Sequence, residues 1–221
     1  GIELILSQRL QLVLGYSPLE AGLLILPIPA AAFVAGPLAG LALPKLGVDR
    51  TLWLSLGVAG LGLALYILSL GGAASVWLGA LAVMGFGIGA AMTAASSTIM
   101  MSAPEDRAGM AASVEEVSYE LGGAIGVAMI GSLMSLVYTA SLMLPQGLTG
   151  DKTALDSLDE ALIAAERLPA GEAEILAALA KSAFDNAYLA VAAMVTFLLL
   201  ATALGVWFMT RNQAASRTTT T

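Results

Sequence analysis

Three glutamates interrupt a segment that is otherwise apolar enough to cross a lipid bilayer. Glu115, Glu116 and Glu120 lie in the stretch 109–138, which contains no basic residue. A charge at the centre of a bilayer costs about 3 kcal/mol on insertion scales, so three charges would cost roughly 9 kcal/mol. We therefore expect these side chains to face a protein interior or a water-filled cavity, where carboxyl groups can bind protons and cations.

The spacing of the acids divides them between two faces of a helix. Glu116 and Glu120 are four residues apart and share one face, whereas Glu115 lies about 100° away, on the face of Tyr119. We predict that Glu116 and Glu120 carry the proton and cation chemistry, with Glu115 as the second choice. We expect Tyr119 to line the cavity and to offer its ring to a cation. The alternative is that one or more acids pair with a basic residue elsewhere in the protein or form hydrogen bonds to neighbouring helices.

Carboxyl groups in such a cavity can exchange one ligand for another. A carboxyl group in poorly solvated surroundings resists ionisation, whereas a lipophilic cation that enters the cavity favours the ionised form. The group can then hold either a proton or a cation. This competition produces exchange of cations for protons, provided that the cavity opens to one side of the membrane at a time.

The composition is that of a polytopic membrane protein. Hydrophobic residues make up 58% of the chain and charged residues 11%, about half the charged share of a soluble domain. The absence of Cys and His excludes disulfides, thiolate metal sites and a histidine proton shuttle. The nine Lys and Arg residues form no basic patch, which excludes nucleic acid as a partner. We predict no cofactor, no bound metal and no enzymatic activity.

The apolar segments predict six helices, the first of them cut short. Residues 1–15 resemble the second part of a span, and the chain begins inside it without Met, so we expect an upstream part of the protein to be missing. Prolines should kink the first complete span. The complete spans are predicted at 21–43, 51–70, 76–101, 109–138 and 186–209. In domain terms, membrane helices occupy 1–138, a polar loop 139–185, the last span 186–210 and a disordered tail 211–221.

The basic residues predict the orientation in the membrane. Lys45 and Arg50 share one loop, Arg107 lies in another, and Arg211 and Arg217 are in the tail. Alternating spans place all of them on one side, which the positive-inside rule identifies as the cytoplasm. The polar loop 139–185 then lies on the outer side and the C-terminus in the cytoplasm.

The outer loop contains the pattern of a helical hairpin. Ser157 and Glu160 have the spacing of a capping box, and an apolar stripe follows them. Leu168–Gly171 (LPAG) should end the first helix, and residues 172–184 predict a second amphipathic helix that runs into the last span. Two interpretations stay open: a packed loop that stabilises the outer helix ends, or a gate over an exit path.

The sequence also gives expectations for two charged residues near the N-terminus and for two glycine pairs. Glu3 is expected near the middle of the membrane, either lining the cavity or forming a hydrogen bond between helices. Arg9 is expected to extend outward to water, the alternative being a carboxylate across the cavity. The spacing of two glycine pairs predicts close packing of helices. These pairs are Gly85 with Gly89 and Gly122 with Gly126.

The loop 40–50 resembles a degenerate copy of the loop motif of the major facilitator superfamily. Gly40, Lys45 and Gly47 match the motif, whereas Pro44 replaces its acid and the basic pair is displaced to Arg50. The stretches 10–27 and 103–133 resemble the fourteen-span drug/proton antiporters of that superfamily. The closest likeness is to quaternary-ammonium efflux pumps of the QacA and SmvA type, which also have paired acids and a polar hairpin before the last span.

This resemblance implies the fold and the function. The fold is an all-α membrane protein, the six-helix C-terminal half of a major facilitator fold, with an outer amphipathic hairpin before the last span. The function is proton-coupled efflux of lipophilic cations, such as quaternary ammonium compounds and dyes, from the bacterial cytoplasmic membrane. The expected partners are these cations, protons, lipid and the missing N-terminal half. The alternative is a non-transporting scaffold or sensor that binds a partner through the outer hairpin.

Overall fold

The computed structural model describes residues 1–143 and 156–218, without the side chains of residues 105 and 212–218. Every regular element in this part of the chain is helical. A π-helical turn, Arg9–Val13, continues the first helix, and a 3₁₀ turn, Glu105–Arg107, precedes the sixth. The helices are α1 (Ile2–Gln8), α2 (Pro18–Ile25), α3 (Pro27–Leu46), α4 (Val48–Ser69), α5 (Ala74–Ser102), α6 (Ala108–Ser141), α7 (Leu158–Ala165) and α8 (Ala170–Thr218).

Five segments of the described chain are long and apolar enough to cross a membrane, so the predicted all-α membrane fold is confirmed. They are Pro18–Leu46, which combines α2 and α3, Val48–Ser69, Ala74–Ser102, Ala108–Ser141 and Ala170–Arg211. The chain forms two compact units. The first contains Gly1–Leu23 and Gly122–Ala192, and the second contains Leu24–Leu121 and Ala193–Thr221.

Proline and glycine set the bounds of α2, α3 and α4. A break at Leu26 separates α2 from α3, because Pro27 has no N–H to donate to the preceding turn but is well suited to begin a helix. This break confirms the predicted kink. The predicted loop over residues 44–50 is wrong: Pro44 lies inside α3, and Gly47 alone separates α3 from α4. Gly47 makes so short a connection because its φ is +79°, a conformation that favours glycine.

Glycines on opposite faces of α5 bring three helices of the second unit into close contact. A Cβ atom at Gly85 would lie 2.7 Å from the Cα atom of Ile28 in α3. A Cβ atom at Gly87 would lie 2.7 Å from the Cα atom of Ala59 in α4. Gly89 stands one turn after Gly85 and approaches α3 in the same way. The predicted role of the Gly85–Gly89 spacing is therefore confirmed, since only glycine permits such a close approach of backbones.

The helical hairpin is present in the first unit as far as the structure describes it. Helix α7 buries Leu158, Ala161 and Ala165, which belong to the predicted apolar stripe, and α8 continues from the hairpin into the last span without a break. The predicted capping box is not formed: Ser157 is the N-cap of α7 but makes no side-chain cap hydrogen bond. Its carbonyl oxygen instead accepts a hydrogen bond from the hydroxyl of Tyr138, at 3.1 Å.

The start of the predicted polar loop and the predicted C-terminal tail both differ from the sequence expectation. Helix α6 extends to Ser141, and the predicted loop residues 144–155 lie outside the described part of the chain. Helix α8 continues to Thr218, so the tail that was predicted to be disordered from residue 211 is helical up to that point. The segment 211–218 contains neither Gly nor Pro, so no residue in it disrupts a helix. Residues 219–221 lie outside the described residues.

Candidate functional site

The three glutamates lie in the first half of α6, well inside the span. Glu115 is seven residues from the start of α6 and Glu120 is twelve, which corresponds to depths of about 11 and 18 Å along the helix. Helix α6 has 34 residues and is about 50 Å long, which exceeds the hydrocarbon core of a bilayer, about 30 Å thick. The acids lie inside a segment that is long and apolar enough to span the membrane, where an ionised group is costly to expose to lipid.

The structure separates the acids into two environments, as their spacing predicts. Glu115 is half-buried and lies one turn after the buried residue Ala111, on the more covered side of α6. Glu116 and Glu120 are exposed, and their face also carries the small residue Gly123. No described atom lies within 4 Å of where a Cβ of Gly123 would be, so this face is open.

Tyr119 connects the acidic helix to its neighbour within the second unit. Its hydroxyl group donates a hydrogen bond to the carbonyl oxygen of Met92 in α5, at 3.4 Å. The side chain of Tyr119 nevertheless stays 38% exposed. The hydrogen bond holds the phenol at one end, while part of the ring remains accessible to a cation.

Among the described residues, Glu115, Glu116 and Glu120 form no ion pair and no side-chain hydrogen bond. Within this part of the chain there is also no group of three or more acids that could hold a metal ion. The carboxylate oxygens of Glu115, Glu116 and Glu120 can accept a proton or contact an organic cation. The arrangement is thus suited to reversible binding of positive charge rather than to a fixed structural contact.

Glu3 and the charged loop-motif residues are exposed. Glu3 lies on α1, in the first unit. Its carboxylate accepts no hydrogen bond from a described residue, so the interpretation of Glu3 as a helix-packing group gains no support. Lys45 and Arg50 are exposed on either side of the Gly47 connection, and Gly40 has open space around it. The motif residues therefore form a charged helix–helix turn in this structure.

Sequence reasoning did not identify the partner of Arg9, which forms an ion pair in the first unit. The Nε atom of Arg9 lies 2.7 Å from the Oδ1 atom of Asp185, and the guanidinium carbon is 5.3 Å from the ring centroid of Tyr188. The expectation that Arg9 extends outward to water is wrong. The alternative is confirmed as far as the carboxylate partner goes, whereas its position across a cavity stays a prediction. The available signal was that Arg9 and Asp185 both stand at the edge of apolar segments, but 176 positions separate them in sequence.

The second glycine pair also departs from the expectation. Gly122 and Gly126 have the same spacing as Gly85 and Gly89, yet no described atom lies within 4 Å of a Cβ placed at either position. The small residues that follow the acids therefore leave this part of α6 uncovered by the described chain.

Comparisons with known proteins agree on one family. The family model of the Major Facilitator Superfamily matches residues 2–127. Methyl viologen resistance protein SmvA of Salmonella typhimurium is 36% identical over 219 residues, covering 94% of this chain and 43% of the relative. Multidrug efflux pump LfrA of Mycolicibacterium smegmatis is 34% identical over 215 residues, covering 94% and 42%. Drug efflux pump JefA of Mycobacterium tuberculosis is 36% identical over 142 residues, covering 64% and 28%. The chain spans less than half the length of these relatives.

Proposed function

The chain belongs to the Major Facilitator Superfamily, and from this we propose that it is the C-terminal, six-helix half of a proton-coupled multidrug efflux transporter. The substrates are lipophilic cations such as quaternary ammonium compounds and dyes. The transporter lies in the bacterial cytoplasmic membrane with its C-terminus in the cytoplasm. Its central cavity is completed by an N-terminal half of the same protein. The chain acts in transport and not in catalysis.

The observation that carries this proposal is the state of the acids on α6. Glu116 and Glu120 are exposed in a segment that can span the membrane, and neither pairs with a basic residue among the described residues. An unpaired carboxylate directed at lipid would be costly, so these side chains need a watery cavity. Binding of protons and cations gives such a cavity its function.

The exchange follows from the chemistry of a carboxyl group. When a proton occupies a carboxyl oxygen, the group is neutral and holds a cation weakly. When a lipophilic cation enters, its charge stabilises the carboxylate and the proton leaves. The exposed ring of Tyr119 adds cation–π attraction worth about 0.5–2 kcal/mol.

The relatives support the substrate class. SmvA is named for resistance to methyl viologen, which is an organic dication, and LfrA and JefA are named as drug efflux pumps. An organic dication is the kind of molecule that paired carboxylates and an aromatic ring bind well. We extend this substrate class to the present chain as part of the proposal.

The test measures efflux of methyl viologen driven by a pH gradient in vesicles that contain the intact transporter. Glu116→Gln and Glu120→Gln keep the size of each side chain but remove the exchangeable proton. Each is expected to lower proton-driven efflux at least tenfold while membrane insertion stays at the wild-type level. Glu172→Gln removes an exposed acid in the first turn of α8 and serves as the matched control. Wild-type efflux in both α6 variants would refute the proposed mechanism.

A second measurement separates transport from the scaffold alternative. The purified intact protein, placed in a weakly buffered solution, should release protons when methyl viologen is added, and Glu116→Gln with Glu120→Gln should reduce the release. A scaffold or sensor that does not exchange ligands would release none.

A further inference from the structure

The first unit contains a cavity of about 200 Å³. Side chains from α1, α6, α8 and the start of α7 line it. We call it the α7 pocket. Its volume is below the 300–1,000 Å³ typical of sites for drug-sized ligands, so it suits a small organic molecule or one ring of a larger one.

The walls of the α7 pocket are mainly apolar, with Gln8 and Ser135 as polar members, and the apolar side chains are fixed by packing. Ile5, Met134, Leu158 and Phe184 line the cavity, and each is a buried residue of the unit. Tyr138 also lines it and is held in place by its hydrogen bond to the carbonyl oxygen of Ser157. Buried side chains in fixed positions give a preformed surface for an apolar ligand.

The charged residues that line the α7 pocket are both acidic. Asp156 and Asp159 line it and are both exposed, which places their carboxylates at its open side. No basic side chain is among the described residues of the lining. A helix N-terminus favours acidic residues in its first turn, which is a sufficient reason for Asp159 and for its neighbour Glu160. That reason does not apply to Asp156, which precedes the helix.

We propose that the α7 pocket binds a lipophilic monocation or one cationic ring of a larger substrate, as a second site beside the acids of α6. The apolar walls receive the hydrocarbon part, and Asp156 and Asp159 neutralise the charge at the mouth. This inference rests on the proposed function for its substrate class. With the predicted orientation, the pocket lies on the outer side of the membrane.

The experiment is equilibrium binding of methyl viologen to the purified intact transporter by calorimetry. The wild type should bind at two sites. Asp156→Asn and Asp159→Asn should each weaken one of the sites about fivefold, as expected for one partly screened charge contact. Gly131→Phe, which fills the pocket from α6, should abolish that site. Glu160→Gln is the matched control, because Glu160 lies in the same turn of α7 but does not line the pocket.

The outcomes separate this inference from the proposed function. If Glu116→Gln and Glu120→Gln remove binding at one site while the α7 pocket variants change nothing, the inference is overturned and the proposed function stands. Equal weakening by Asp159→Asn and Glu160→Gln would also overturn it, since a general loss of negative charge would then suffice. If Gly131→Phe blocks binding and both Asp→Asn variants bind as the wild type does, the pocket holds an uncharged apolar group such as a lipid chain, contrary to the inference. If the wild type binds no methyl viologen at all, the proposed function fails as well.

Discussion

The ion pair between Arg9 and Asp185 gives a prediction whose magnitude can be worked out from the structure. It connects the π-helical turn after α1 to α8, and the guanidinium group also lies over the ring of Tyr188. We predict that Asp185→Leu and Arg9→Met each destabilise the protein. The double substitution should be more stable than Asp185→Leu alone, because it removes both charges together.

The burial of the two side chains sets the expected size of the effect. Arg9 exposes 15% of its side chain and Asp185 exposes 36%. Exposed pairs contribute about 0.2–1 kcal/mol, whereas breaking a buried pair costs about 3–5 kcal/mol. The Arg9–Asp185 pair lies between these limits, and water partly screens Asp185. We therefore expect about 2 kcal/mol for Asp185→Leu and a coupling energy of about 2 kcal/mol between the two positions.

Equilibrium unfolding of the intact protein in mixed detergent micelles measures these energies. Tryptophan fluorescence and circular dichroism should give the same unfolding midpoint, which is the condition for a two-state treatment. The control is the pair of Asp106 and Arg107, whose charged atoms are 3.9 Å apart and whose side chains are 78% and 64% exposed. Asp106→Asn should change the free energy of unfolding by no more than about 0.5 kcal/mol.

Two results would contradict this reasoning. If Asp185→Leu lowers the free energy of unfolding no more than Asp106→Asn does, the partial burial of Arg9 does not strengthen the ion pair. If the energies of the two single substitutions simply add in the double variant, Arg9 and Asp185 are not coupled in the folded protein.

Three further predictions follow from other parts of the structure. Gly85→Ala should lower the free energy of unfolding by about 1–3 kcal/mol, because the new methyl group would overlap the backbone of α3, whereas Gly126→Ala, in open space within α6, should raise it by about 0.5–1 kcal/mol in the same unfolding assay. Gly47→Ala should cost about 1–3 kcal/mol because φ +79° with ψ 158° is a conformation that essentially only glycine adopts, and the loss should appear in unfolding and not in the affinity for cations. Tyr119→Phe keeps the ring and loses the hydrogen bond to Met92, so cation affinity should change less than twofold, while Tyr119→Leu should weaken it about fivefold in calorimetry.

The membrane fold could be predicted from local pattern, and the errors have local causes. Each complete span is a long apolar run, and length and composition suffice to find it. The loop at residues 44–50 was predicted too long because a proline and three charged residues usually mark an exposed connection. In the structure the proline is close enough to the end of α3 to be tolerated, and Gly47 makes the turn alone.

The contacts between distant segments could not be predicted in the same way. The spacing of Gly85 and Gly89 is identical to that of Gly122 and Gly126, yet only the first pair meets a neighbouring backbone among the described residues. Spacing defines a face of a helix but not what covers that face. The same reason explains Arg9, whose partner is on the last helix of the chain.

The glycines of α5 restrict how the second unit can move. Backbone atoms of α3 and α4 lie against both faces of α5, so sliding one helix along another by a single residue would drive side chains into the carbonyl groups. These three helices should therefore shift together as one rigid block. Any conformational change of the protein would then have to be hinged outside that block.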